Sequence, residues 1–147
     1  MKKIYIKHPA LVCGVYYWLL RMDSSGILRW GLLAALCHEG GHILAWLLLF
    51  RRWPCLEISL GGISLRRKGE CLSGWEELFL AMAGPGSNLL IGLSVLTFME
   101  LVRASYGGYY FACANLLLAG FNLLPLRPLD GYYFYLFCRE KLQSFRK

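Results

Sequence analysis

Long apolar runs separated by short polar segments dominate this chain. Four windows are long and apolar enough to form membrane helices, at residues 4–20, 27–50, 78–102 and 109–124. Turn-forming residues connect the first pair of windows and the last pair, and Pro125 and Pro128 end the fourth. The aromatic segment 132–138 that follows is too short to cross a bilayer. The pattern predicts an all-α membrane protein with about four transmembrane helices.

The polar stretch between the second and third windows alternates as a β-strand does. Its apolar members are Ile58, Leu60, Ile63 and Leu65, with Gly61 and Gly62 at the centre. Two alternating runs around a Gly-Gly pair predict a small β-hairpin over residues 57–66. The open edge of such a hairpin would accept an extended peptide by strand addition. A solvated basic loop is an equally good interpretation of the same stretch.

Composition agrees with a membrane location and argues against nucleic acid as a partner. The chain has 147 residues, 57% of them hydrophobic, and this length predicts a single domain over residues 1–147. The first window has no small-residue cleavage site after it, which predicts a retained span. The formal charge of +7 comes from short clusters between the apolar runs, as expected of loops on one side of a membrane.

The distribution of these cations predicts the orientation. Thirteen of the sixteen fall in the N-terminus, the loop after the second window and the tail, which four spans would place on one side. They are Lys2, Lys3, Lys7, Arg51, Arg52, Arg66, Arg67, Lys68, Arg127, Arg139, Lys141, Arg146 and Lys147. Because basic loops stay inside, both termini are expected to be cytoplasmic.

The second window contains the sequence His38-Glu39-Gly40-Gly41-His42. Histidines four residues apart lie on one face of a helix, so both rings can reach a single Zn²⁺. The intervening Glu39 can then act as a general base on water. Ionisable groups are costly in hydrocarbon, and such a cluster within a span therefore indicates a functional site. The hypothesis that follows is hydrolysis within the membrane.

A catalytic zinc site needs a third protein ligand, with one position left for water. Only Glu39, Glu100 and Asp130 among the acidic residues lie within or beside apolar segments. Glu100 falls near the opposite end of its window from the expected site. Asp130 follows the proline break after the fourth window, which could fold it back toward His42. Asp130 is therefore the best candidate for the third ligand.

Three motifs together resemble the site-2 protease family of zinc intramembrane metalloproteases. They are His38–His42 in one span, Gly84-Pro85-Gly86-Ser87-Asn88 in the next, and the segment from Asn122 to Asp130-Gly131. The resemblance covers essentially the whole chain and is greatest for the compact bacterial branch that includes the sporulation sigma-factor-processing proteases. It implies a minimal peptidase core in the bacterial cytoplasmic membrane, with a transmembrane or membrane-associated protein as substrate.

The resemblance also implies roles for single residues. His38, His42 and Asp130 would be the zinc ligands and Glu39 the general base. Asn88 and Asn122 would lie near the site, where an amide can hold substrate or stabilise an oxyanion. Gly40-Gly41, and Tyr132 after Asp130-Gly131, depart from the family pattern but touch no ligand. The alternative is a non-catalytic membrane protein that binds or sequesters a partner and retains the protease fold.

Overall fold

Five helices and three short strands form the part of the chain that the computed structural model describes, residues 4–59, 62–65 and 72–144. In chain order they are β1 (Ile4–Ile6), α1 (Pro9–Met22), α2 (Ile27–Phe50), β2 (Leu56–Ser59), β3 (Gly62–Leu65), α3 (Gly74–Leu101), α4 (Tyr106–Asn122) and α5 (Gly131–Ser144). Some residues used in the sequence predictions lie outside these ranges, namely Lys2, Lys3, Leu60, Gly61, Arg66, Arg67, Lys68, Arg146 and Lys147.

Helix ends follow the local capping chemistry. The predicted bounds of α2 are confirmed, whereas α3 and α4 begin before residues 78 and 109. The Ser73 side chain accepts from the Glu76 N–H while Glu76 accepts from the Ser73 N–H, which is a capping box. Ser105 caps α4 by accepting from the Gly108 N–H at 3.1 Å. These serines therefore place each helix start several residues earlier than hydropathy alone does.

The prediction that the first span begins at residue 4 is wrong. Ile4–Ile6 form a strand, and α1 begins at Pro9, after His8 adopts a left-handed backbone conformation with φ of 50°. Proline suits the first position of a helix because its φ is already helical and the missing N–H has no partner there. As a result α1 has 14 residues.

A three-stranded sheet replaces the predicted two-stranded hairpin. β2 and β3 pair antiparallel, as predicted, with Glu57 opposite Ser64 and Ile58 opposite Ile63. β1 then pairs in parallel with the other edge of β2. A Lys7–Glu57 ion pair joins the same two strand regions. Of the hairpin's two edges, only the β3 edge remains at the border of the described sheet.

Two helices, α2 and α3, are long and apolar enough to cross a membrane. With 14 and 17 residues, α1 and α4 fall short of the about 20 residues that a perpendicular span needs, so the four predicted spans are not confirmed. Large apolar side chains face outward, with Leu48, Leu90 and Leu117 exposed by 65%, 69% and 74%. Such an apolar exterior, together with two long apolar helices, indicates a membrane protein.

Small residues fill the contacts between α2, α3 and α4. Ala34, Ala81, Ala112 and Ala119 are at most 2% exposed. A Cβ added at Gly92 of α3 would lie 3.2 Å from the Ala112 carbonyl oxygen of α4. Small residues let helix backbones approach closely, as is typical of helix packing in membranes. This three-helix bundle holds the site described next.

Candidate metal centre

Three ligand atoms from distant parts of the chain meet at one point. His38 Nε2 lies 3.0 Å from Asp130 Oδ2, while His42 Nε2 lies 3.2 Å from both Asp130 Oδ2 and His38 Nε2. Two ligands bound tetrahedrally to one zinc at 2.0–2.1 Å would be about 3.3–3.4 Å apart. The three atoms therefore have nearly the spacing of a tetrahedral zinc face, and among the described residues they form a group that can hold a metal ion.

The histidines are buried on the face of α2 that packs against α3, with relative exposures of 7% and 8%. His42 Nδ1 donates to the Leu80 carbonyl oxygen at 2.8 Å. Because that bond places the proton on Nδ1, the Nε2 lone pair of His42 is available to a metal.

Gly84 of α3 makes room for both imidazole rings. A Cβ at this position would lie 2.7 Å from Cε1 of His38 and of His42, closer than real Cβ atoms approach other atoms. Gly41 plays the matching part on α2, since its Cβ would lie 2.5 Å from the Ala83 carbonyl oxygen. The histidine rings fit between the helices because both positions lack a side chain.

Asp130 reaches the histidines from the segment between α4 and α5. Gly131 permits the close turn, because a Cβ there would lie 2.6 Å from the Leu124 carbonyl oxygen. The Arg127 guanidinium stacks 4.5 Å from the Tyr132 ring centre and spans the same turn. Burial opposes ionisation of Asp130, but the adjacent rings of His38 and His42 hold the pKa of its carboxyl below the usual value. The carboxylate is therefore charged at neutral pH, as a metal ligand requires.

An open cavity of about 550 Å³ contains this group. Glu39 and Asn122, two of the residues singled out in the sequence, line it, and so do Glu57 of β2, Leu65 of β3 and Tyr133 of α5. Tyr133 was not among the predicted site residues, whereas Glu57 and Leu65 lie in the hairpin 57–66 that the sequence predicts to accept a peptide. Tyr133 belongs to an aromatic run, and such a run is more typical of side chains at the membrane interface than of a catalytic site. Glu57 reaches the cavity because the sheet packs beside it, which the local sequence does not specify.

The two predicted asparagines differ in position. Asn122 is partly buried at the cavity, and its Nδ2 donates to the Leu118 carbonyl oxygen at 3.0 Å. Asn88 has 0% exposure inside the helix bundle and is not part of the cavity lining. The structure therefore brings five of the six predicted site residues together at one cavity, namely His38, His42, Glu39, Asp130 and Asn122. The sixth, Asn88, is buried inside the helix bundle and does not line that cavity.

Comparison with known proteins shows that this fold is similar to that of a site-2 protease. A site-2 protease from Methanocaldococcus jannaschii superposes with a TM-score of 0.63 and 23% sequence identity, covering 98% of this chain and 69% of that one. A zinc metalloprotease from the same organism is 31% identical over 80 residues, which is 52% of this chain and 23% of that protein. The protein-family models give no match. The resemblance to site-2 proteases is confirmed, and the chain spans less than a quarter of the curated relative's length.

Proposed function

Because the chain has a site-2 protease fold and gathers three ligand atoms at tetrahedral spacing, we propose that it is a zinc-dependent intramembrane endopeptidase. Its substrate is a transmembrane or membrane-associated protein, cut near the cytoplasmic side. The observation that carries the proposal is the His38, His42 and Asp130 group at 3.0–3.2 Å, lying in a cavity that Glu39 also lines. These three residues would hold Zn²⁺, which when bound would supply Lewis acidity and lower the pKa of a water molecule toward about 7.

The side chains of this chain divide the remaining work of hydrolysis. Glu39 lies beside His38 in sequence, so it projects about 100° away from that ligand. It therefore accepts the proton of the attacking water rather than binding the metal. The Asn122 amide lies at the cavity and stabilises the carbonyl oxygen of the scissile bond as charge develops there.

A substrate helix must unwind before its carbonyl groups become accessible, because they are satisfied within the helix. The β3 edge can hold the unwound segment by strand addition. Leu65 of β3 lines the catalytic cavity, and Ile63 of the same strand lines a neighbouring one. A peptide paired along β3 would therefore lead toward Glu39.

Orientation follows from the charge distribution. The thirteen cations of the termini and the loop after α2 favour a cytoplasmic position for those segments. The sheet that follows α2 then lies on the cytoplasmic side, and so does the mouth of the catalytic cavity that the sheet lines. The bilayer and the substrate are the partners this arrangement requires, and residues 1–147 act as one peptidase core.

The decisive experiment compares native protein with Glu39→Gln, purified in detergent with a membrane-embedded substrate. The glutamine keeps the side chain's shape but cannot accept a proton, so cleavage should fall about 10²–10⁴-fold. Zinc content should stay at one per chain. Glu140→Gln, at an exposed position on α5, is the matched control and should cleave at the native rate.

The alternative function, binding or sequestering a partner without catalysis, predicts a different result. Native protein would then leave every membrane substrate intact, and Glu39→Gln would not change binding. The presence of Glu39 at the cavity favours hydrolysis, because metal binding alone does not need this carboxylate.

A further inference from the structure

The two histidines of the metal centre differ in how their second ring nitrogen is held. His42 Nδ1 has the Leu80 carbonyl oxygen as its acceptor, whereas His38 Nδ1 is buried without a hydrogen-bond partner among the described residues. A metal-ligating histidine almost always donates its other N–H to an acceptor, which sets the tautomer and the ring orientation. His38 therefore requires an acceptor that the direct contacts do not supply.

Asn88 is a fully buried polar residue of α3, the helix that packs against His38. Its side chain has 0% exposure, and neither Oδ1 nor Nδ2 has a partner in the described part of the chain. It lies one helical turn beyond Gly84, on the same face of α3. A Cβ at Gly84 would lie 2.7 Å from His38 Cε1, the ring carbon bonded to Nδ1.

The antiparallel packing of α2 and α3 brings Asn88 to the level of the His38 ring. Leu80 contacts His42, and Ser87 Oγ donates to the Cys37 carbonyl oxygen at 3.1 Å. Asn88 therefore lies beside the turn of α2 that precedes His38. Side chains on a helix lean toward its N-terminus, so the ring of His38 leans toward that turn.

We propose that Asn88 is a positioning residue for His38, acting through one buried water between His38 Nδ1 and the Asn88 amide. The water accepts from the His38 N–H and donates to Asn88 Oδ1, which leaves Asn88 Nδ2 as a second donor to it. Buried waters typically make about three hydrogen bonds to polar groups that otherwise lack partners. This inference rests on the metal site of the proposed function and replaces the expected substrate role of Asn88.

The test measures metal binding rather than proteolysis. Asn88→Leu has similar volume but no polar atoms, and its affinity for Zn²⁺ should fall about 10–100-fold in competition with a chelator. The unfolding midpoint of the metal-free variant should change little, because leucine fills the volume of asparagine and the two polar atoms removed have no direct protein partner among the described residues. Asn88→Asp keeps an acceptor oxygen and should restore the affinity and the visible spectrum of the Co²⁺-loaded protein. Asn88→Ala removes the same acceptor without adding apolar atoms. If the leucine variant folds poorly, the alanine variant replaces it and should show the same loss of Zn²⁺ affinity.

Asn115→Leu is the matched control, because Asn115 on α4 also has 0% exposure and an Oδ1 atom without a partner among the described residues. It should retain native affinity for Zn²⁺. Native affinity and a native Co²⁺ spectrum in Asn88→Leu would overturn the inference and leave the metal site standing. Equal losses in the two asparagine variants would also overturn it, by pointing to general packing. Native protein that binds no metal would overturn the proposed function, and the inference with it.

Discussion

The two sides of α2 are built differently. On the side that faces α3, Gly41 and Gly84 allow backbone and rings into close contact, and the histidines are more than nine-tenths buried. On the side that faces α1 and the sheet lies a second cavity of about 520 Å³, lined mainly by apolar residues such as Leu36 and Ile63. In α1 the only buried residue is Val12, whereas α3 buries seven.

Glu39 lines both cavities and so lies at the junction of the two sides. A metal group needs ligands held within fractions of an ångström, which close packing provides. A protein substrate needs an accessible surface, which the loosely packed side provides. The two histidine ligands therefore lie on the closely packed side of α2, whereas Glu39 lies where that side meets the open one.

Gly84→Ala should have the largest effect, because the added methyl group would occupy the space of both histidine rings. We expect zinc affinity to fall by about 10²-fold or more, and cleavage to fall with it. Metal content after dialysis and chelator competition measure the loss. Gly86→Ala lies on the same helix, where a Cβ meets nothing within 4 Å, and should behave as native. Full zinc binding by Gly84→Ala would show that the histidine rings or α3 can move enough to accept the methyl group.

Gly41→Ala tests the contact between the helices rather than the metal. Its Cβ would lie 2.5 Å from the Ala83 carbonyl oxygen and from Ser87 Oγ, so α2 and α3 must move apart. Overpacking of this kind destabilises by about 1–3 kcal/mol, which thermal unfolding in detergent should register as a lower midpoint. Gly40 is exposed, and a Cβ there would meet nothing within 4 Å in the described chain beyond its own stretch of helix, so Gly40→Ala should leave the midpoint unchanged or raise it. Equal midpoints for the two variants would contradict close packing on this side.

Proline at Ile63 or at Ser64, introduced singly, tests the open side. Either substitution removes one backbone N–H from β3. If substrate pairs with that edge, one of the two variants should cleave several-fold more slowly, since a lost hydrogen bond costs about 0.5–1.5 kcal/mol. Zinc content should not change, because no ligand lies on the sheet. Native cleavage rates in both variants would leave β3 as a connector without a role in substrate binding.

The features that could be predicted from the sequence are those that depend on residues close together in the chain. Hydropathy and turn residues set the bounds of α2, and the spacing of His38 and His42 with the scarcity of intramembrane acids pointed to Asp130. The start of α3 was readable as well, because Ser73 and Glu76 have the spacing of a capping box. Hydropathy missed it because the first turn of α3 is polar.

Other features depend on tertiary contacts that no local pattern encodes. β1 has three residues, too few to show the alternation of apolar and polar side chains that is typical of a strand. It forms a strand because its backbone pairs with the edge of β2. The burial of Asn88 inside the helix bundle depends on how α3 is rotated about its axis, and the motif from Gly84 to Asn88 does not specify that rotation. The role of Gly84 follows from the histidine rings that fill the space beside it, which the Gly84-Pro85 pair does not indicate by itself.

The parallel pairing of β1 with β2 has a consequence for the thickness of the surrounding bilayer. These strands precede α1 and follow α2, so the pairing holds the start of α1 and the end of α2 on one face of the membrane. If α2 crosses, α1 must cross as well, although its 14 residues extend only about 21 Å. A hydrocarbon core is about 30 Å thick, so lipid beside α1 has to compress or polar headgroups have to dip inward. The protein would then sit in a local depression of the membrane on the same side of α2 as the open cavity, where water has the shortest path to Glu39.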